Sequence, residues 1–174
     1  MQALVEKAAD YQVVLVASNK PQAPGLDWAR AHGIPTWAWE SRQVAREQFD
    51  ETVSRALTDH HVGTIALAGY MRILSPQFVE AWRGRILNIH PSLLPKYKGL
   101  ETHARALQAG DAVSGCTVHI VTEELDAGEV LGSTQVAIEP GDTPSSLESR
   151  VREAEHELYP RVLAEFVSRR FPQG

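Results

Sequence analysis

Residues 46–90 read REQFDETVSRALTDHHVGTIALAGYMRILSPQFVEAWRGRILNIH. Phe49, Val53, Ala56 or Leu57 and His60 recur at helical spacing, and the helix they predict over Arg46–His60 leads into the apolar run Thr64–Ala68. A short helix over Pro76–Trp82 and a strand over Ile86–Ile89 follow. Helix, strand, helix, strand with so little connecting chain is the rhythm of parallel strands joined by helical crossovers.

The pattern extends in both directions. Upstream, Val13–Val16 is a β-branched-rich strand closed by the turn residues Ser18-Asn19-Lys20-Pro21, Gly25–His32 is a short helix ended by Gly33, and Thr36–Trp39 is another strand. Downstream, Thr102–Ala109 is a helix stopped by Gly110. Cys116–Val121 and Val130–Ile138 are then two strands with too little chain between them for a helical crossover, so they are expected to pair as an antiparallel extension. Thr143 caps a final helix with Pro144 at its first position; Leu147, Val151, Ala154, Leu158 and Val162 form its apolar stripe, and Pro160 is expected to kink it. The fold class is α/β: a doubly wound, mostly parallel sheet with helices on both faces, in a single domain over residues 1–174.

Composition narrows the partners. A net charge of −5 and a pI near 5.8 lack the positive surface that nucleic-acid binding by counterion release needs. No apolar run approaches the ~18 to 20 residues of a membrane span. Cys116, the only cysteine, allows neither an internal disulfide nor a thiolate metal cluster and reads as a small core residue. His32, His60 and His61 show no metal-ligand spacing, so no metal is expected, and the cytoplasm is the default location.

The densest chemistry lies in Leu87-Asn88-Ile89-His90-Pro91-Ser92-Leu93-Leu94-Pro95-Lys96-Tyr97-Lys98-Gly99. An amide and an imidazole two residues apart at a strand end point to the same side, toward the crevice where open α/β sheets bind ligands. Pro91 and Pro95 bracket a rigid loop. Alone, these residues read equally well as a capping Asn, a surface His and a Pro-rich turn. A second segment, His119 to Gly128, ends a strand in an acidic loop, with Asp126 before a flexible Gly128. A carboxylate beside an imidazole favours its charged form and orients it for proton transfer.

Together the two segments resemble the signature of glycinamide ribonucleotide formyltransferases: Asn88 through Gly99, then Thr102-His103, Val118-His119 and Glu124-Leu125-Asp126. Ala68 through Pro76 resembles the family's folate loop, and Ser18-Asn19-Lys20 and Arg46-Glu47-Gln48-Phe49-Asp50 also match. The resemblance implies transfer of the formyl group of 10-formyltetrahydrofolate to the amine of glycinamide ribonucleotide, in purine biosynthesis. It puts the catalytic trio on Asn88, His90 and Asp126, with Asn88 and a protonated His90 stabilising the oxyanion and Asp126 supporting His90 and relaying a proton. It puts folate contacts on Met71, Arg72, Ile73, Leu74, Asn88 and Thr122, with Arg46 at the glutamate tail, and nucleotide contacts on Arg152 and Glu155. It implies no metal and a monomer or homodimer.

The chain departs from that pattern at its start. Met1-Gln2-Ala3-Leu4 resembles the inside of the family's first helix, so the innermost strand and the glycine-rich turn that holds the substrate phosphate are expected to be missing. Two alternatives remain: a sibling enzyme, formyltetrahydrofolate deformylase, which shares the trio but carries an N-terminal regulatory domain, and, from a different class, a non-catalytic folate- or nucleotide-binding module. The relative that formylates initiator methionyl-tRNA carries a C-terminal RNA-binding domain, and the acidic balance here argues against it.

Overall fold

The computed structural model describes residues 1–170. Its elements run α1 (Gln2–Glu6), β1 (Val16–Ser18), α2 (Pro24–Ala31), β2 (Thr36–Ala38), α3 (Arg46–Asp59), β3 (Ile65–Leu67), α4 (Pro76–Ala81), β4 (Ile86–His90), α5 (Thr102–Gln108), β5 (Val113–Ile120), β6 (Val130–Ala137) and α6 (Pro144–Arg170). The helix starts follow from local chemistry. Ser75 Oγ accepts from the Phe78 amide at 3.2 Å ahead of Pro76, and Thr143 Oγ1 accepts from the Ser146 amide at 3.2 Å ahead of Pro144.

β1 pairs with β2 in parallel, and β3 with β4. β5 then adds antiparallel to β4, and β6 antiparallel to β5. The sheet is therefore mostly parallel, with four strands in parallel ladders and a hairpin extending one edge. Consecutive residues of β4 divide between its two faces. Leu87 joins one core cluster with Leu4, Cys116, Val118 and the α6 residues Leu147, Val151, Leu158 and Val162. Ile86 joins another with Phe49, Val53, Leu57, Phe78 and Trp82 from α3, α4 and the residue after α4. Two cores on opposite faces are what a doubly wound sheet requires.

Two strands begin elsewhere than the sequence reading gave, β5 at Val113 in place of Cys116. β1 begins at Val16 instead of Val13, because the first ladder bond is Val16 N–H to the Pro35 carbonyl and Val13–Leu15 have no strand beside them. The last helix runs on through Pro160, which lies buried between Leu158, Tyr159, Val162 and Leu163. Burial of its neighbours on both sides carries the helix across the missing N–H, as a proline kink within one helix requires.

The strands fall into two groups, β1-β2 and β3-β4-β5-β6, with no hydrogen bonds joining β1 to β3.

α6 is tied to the sheet by a buried polar contact as well as by its apolar stripe: Tyr159 Oη donates to the Leu87 carbonyl at 2.9 Å. Leu87 directly precedes Asn88, so this bond steadies the strand that carries the site. Replacing Tyr159 by Phe keeps the ring but leaves that carbonyl short of a partner. It should lower unfolding stability by about 1 to 3 kcal/mol without altering the circular-dichroism spectrum. A urea midpoint unchanged from the parent protein would refute this.

Candidate active site

Antiparallel pairing of β4 with β5 sets Asn88 opposite His119 and His90 opposite Thr117. Asn88 and His90 share a strand face by the period of two, and the register brings His119 beside them. A register shift at Val118/His119, where β5 meets β6, lies at the same point of the strand. Such irregularities re-aim side chains next to sites.

The loop after β4 folds back over this corner. Thr117 Oγ1 donates to the Ser92 carbonyl at 2.7 Å and accepts from the Leu94 amide at 3.1 Å, and Ser92 Oγ donates to the Lys96 carbonyl at 2.6 Å. His90 Nε2 donates to the Tyr97 carbonyl at 2.9 Å. A carbonyl only accepts, so that bond puts a proton on Nε2 and turns Nδ1 toward Asp126, whose Oδ2 lies 3.4 Å away.

Asp126 is the hub. Its backbone sits in the left-handed region at φ 48°, which aspartate tolerates, and its side chain is buried. Oδ2 accepts from the Gly99 amide at 2.9 Å, tying the acidic loop to the proline-rich one, while Oδ1 lies 3.6 Å from His119 Nε2. Lys98 Nζ and Glu124 Oε1, 3.1 Å apart, join the same two loops at the surface. Asn88 Nδ2 donates to His119 Nε2 at 3.2 Å, so the His119 proton sits on Nδ1, which donates to the Ile120 carbonyl at 3.0 Å. Burial lowers the His119 pKa from the usual 6.5, outweighing the raising influence of the Ile120 bond and of Asp126. A neutral His119 that accepts from Asn88 fits that direction.

The structure thus brings Asn88, His90 and Asp126 together and adds His119, which the sequence reading left outside the trio. The alternation along β5 was the available signal: His119 follows buried Thr117 by two residues and sits at the end of the strand that leads to Asp126. His103, on the first turn of α5, has a buried Nδ1 with no hydrogen-bond partner, and burial lowers its pKa as well. Gly128 holds its place through close approach, since a Cβ there would lie 1.8 Å from the Ile120 carbonyl oxygen. The flexibility expected of it is not what the position needs.

The remaining expected contacts lie outside this hub. Met71 and Ile73 are large exposed apolar side chains at 78% and 69% exposure, whereas Leu74 packs into the α3/α4 core. Arg72 donates to the Ser41 carbonyl at 2.7 Å and stacks over Phe49, and Arg46 pairs with its neighbour Glu47 at 3.1 Å. Thr122 Oγ1 donates to the Glu124 carbonyl at 3.1 Å. On α6, Arg152 pairs with Glu148 one turn earlier, and burial holds the Glu155 carboxyl above its usual pKa.

Against this geometry, the formyl transferase family model matches residues 1–163. The chain belongs to the formyl transferase family. Its relatives include the phosphoribosylglycinamide formyltransferase of Escherichia coli, 45% identical over 156 residues that cover 89% of this chain and 74% of that one. Also similar is the trifunctional purine biosynthetic protein adenosine-3 of Gallus gallus, 49% identical over 87% of this chain and 15% of that protein. The chain therefore spans less than a fifth of the trifunctional relatives it matches. Among solved structures, phosphoribosylglycinamide formyltransferase from Brucella melitensis superposes with a TM-score of 0.91 at 44% identity, covering 97% of this chain and 89% of that one.

Two measurements test the site. Because burial lowers the His119 pKa, the unfolded chain takes up a proton near pH 6.5 that the folded chain refuses. This contribution to stability is complete above pH 6.5 and is lost as pH falls from there through the folded pKa. An NMR titration should place the His119 midpoint below 6.5; a midpoint at or above it would overturn the neutral assignment. Gly128→Ala must displace the Asp126 loop from Ile120, so it should lower the melting temperature by several degrees and broaden the Gly99 amide resonance. A variant with unchanged melting and an unmoved Gly99 signal would show that the loop does not need this close approach.

Proposed function

We propose that the protein transfers the formyl group of 10-formyltetrahydrofolate to the amine of glycinamide ribonucleotide, giving formylglycinamide ribonucleotide and tetrahydrofolate. The observation that carries this reading is the Asp126 carboxylate, 3.4 Å from His90 and 3.6 Å from His119, with the Asn88 amide held against the second imidazole. Mere binding needs no such proton-transfer group. Family membership and the bacterial relatives named phosphoribosylglycinamide formyltransferase support it.

In the proposed reaction the amine lone pair attacks the formyl carbon, the new C–N bond forms, and the bond from that carbon to the folate nitrogen breaks. The developing oxyanion accepts from Asn88 Nδ2, which has two N–H groups and spends only one on His119. His90 is the second stabilising group once its Nε2–H turns from the Tyr97 carbonyl to the oxyanion. The proton shed by the attacking nitrogen passes by way of Asp126 to the departing folate nitrogen, so no charge is left stranded. His119 acts as a positioning residue, since a neutral Nε2 fixes which way the Asn88 amide faces.

The co-substrate's ring is assigned to the segment Met71–Leu74 with Asn88 and Thr122, and its glutamate tail to Arg46. Exposed Met71 and Ile73 offer apolar surface that a flat ring can cover. Arg152 and Glu155 are assigned to the nucleotide. The raised pKa of the half-buried Glu155 fits a carboxyl group facing a sugar hydroxyl in a dry site.

His90→Ala should reduce single-turnover formyl transfer by roughly 10²- to 10³-fold while changing the folate dissociation constant only a few-fold, because the imidazole acts on charge that appears in the transition state. Equal losses in rate and affinity would sink the assignment. Formate released without any need for the amine acceptor would establish hydrolysis of the formyl donor instead.

A further inference from the structure

The loop between β4 and α5 grips His90 from two sides. Its Tyr97 carbonyl accepts from His90 Nε2 at 2.9 Å. Its Gly99 amide donates at 2.9 Å to Asp126 Oδ2, the carboxylate oxygen 3.4 Å from His90 Nδ1. The stretch Tyr97–Gly99 thus frames a buried imidazole at both of its nitrogens. An acceptor at Nε2 keeps the proton on that nitrogen, and Nε2–H is the group that the proposed reaction turns toward the oxyanion.

Tyr97 reaches His90 from an uncommon backbone. Its φ is 54°, in the left-handed region that a residue with an aromatic side chain occupies only when its surroundings over-determine it. That conformation sends the carbonyl inward to β4 while the side chain leaves toward α5. There the phenol donates to Asp111 Oδ2 at 2.8 Å, Lys96 Nζ donates to both Asp111 oxygens at 3.1 Å, and the Arg105 guanidinium sits 5.2 Å above the ring. The bond to Asp111 raises the phenol's pKa above its usual 10, and the same bond, with that of Lys96, lowers the Asp111 carboxyl, so donor and acceptor keep their roles at neutral pH. Arg105 also donates to the Lys98 carbonyl at 2.7 Å and the Leu100 carbonyl at 3.2 Å, and Ser92 Oγ donates to the Lys96 carbonyl at 2.6 Å. The chain is therefore held on both sides of Tyr97, and the phenol–Asp111 bond is the directional contact that fixes the side chain between them.

We propose that Tyr97 is a positioning residue for His90, and that Asp111, whose carboxylate bonds to Tyr97 and Lys96, acts through it. The role rests on the proposed formyl transfer, since it is the oxyanion of that reaction that the Nε2 proton is held ready to meet.

Three variants separate positioning from plain structural support. Tyr97→Phe and Asp111→Ala each remove the phenol–carboxylate bond and leave the aromatic ring, whereas Asp111→Asn keeps an oxygen for the phenol and removes the charge. In the first two, kcat for formyl transfer should fall about five- to tenfold, as expected when a lost hydrogen bond is passed on to the placement of a reacting group, while KM for both substrates changes less than about twofold. Their double variant should lose no more than either alone, because the two groups act as one unit. Asp111→Asn should stay within about twofold of the parent protein. By NMR, exchange of the His90 Nε2 proton with water should speed up at least about fivefold in Tyr97→Phe and Asp111→Ala and keep the parent rate in Asp111→Asn. This second readout needs no turnover: if the parent protein forms no formylglycinamide ribonucleotide, the functional reading fails while the exchange rates still decide whether Tyr97 holds His90. Unchanged exchange in Tyr97→Phe would overturn the proposal, as would a loss of kcat that Asp111→Asn shows equally or that a rise in KM matches.

Discussion

Everything the site does depends on the antiparallel ladder between β4 and β5. Its register places Asn88 against His119 and His90 against Thr117, and a slip of one residue would turn both β5 side chains to the opposite face. The pairing is held by burial on both sides of the sheet: Leu87 and Val118 are fully buried in one core, and Ile86 in the other. A strand anchored in two cores has little freedom to shift, which is the condition for holding catalytic groups to within a fraction of an ångström.

The second constraint is the carboxylate that gathers the loops. Asp126 accepts the Gly99 amide and faces two imidazoles, so two connections that are far apart in the chain meet at one buried charge. Burying such a group is unfavourable unless it is partnered, and here the Gly99 amide donates to one of its oxygens. The loop can come this close only because Gly128 presents no side chain to the Ile120 carbonyl. Stability and the proposed chemistry are thus coupled: the same carboxylate that orders the loops is the one the proposed reaction uses to move a proton.

Away from the site, the chain is arranged as two sheet pieces joined through helices. α6 packs against β4, β5 and β6, while the α3/α4 core takes in both pieces, Trp37 from β2 with Ile65 from β3 and Ile86 from β4. That core therefore carries the connection that a continuous ladder would otherwise share.

Much of this was written in the sequence. The 3.6-residue spacing over Arg46–Asp59, the Ser75-Pro76 and Thr143-Pro144 starts, and the short loop between β5 and β6 set the elements and made the last pair antiparallel. Asn88 and His90 could be placed on one face because the strand period is two, and the family signature supplied Asp126. The start of β1 was misplaced because a β-branched run declares strand propensity but not whether a partner lies beside it. His119 was passed over as an actor because its role is relational: nothing local says that it will face Asn88 across a ladder 31 residues away in the chain. Local patterns determine which segments are helix or strand and which side chains share a face. Register, burial and the meeting of distant loops come from packing, because they depend on which surfaces are hidden once the whole chain has folded.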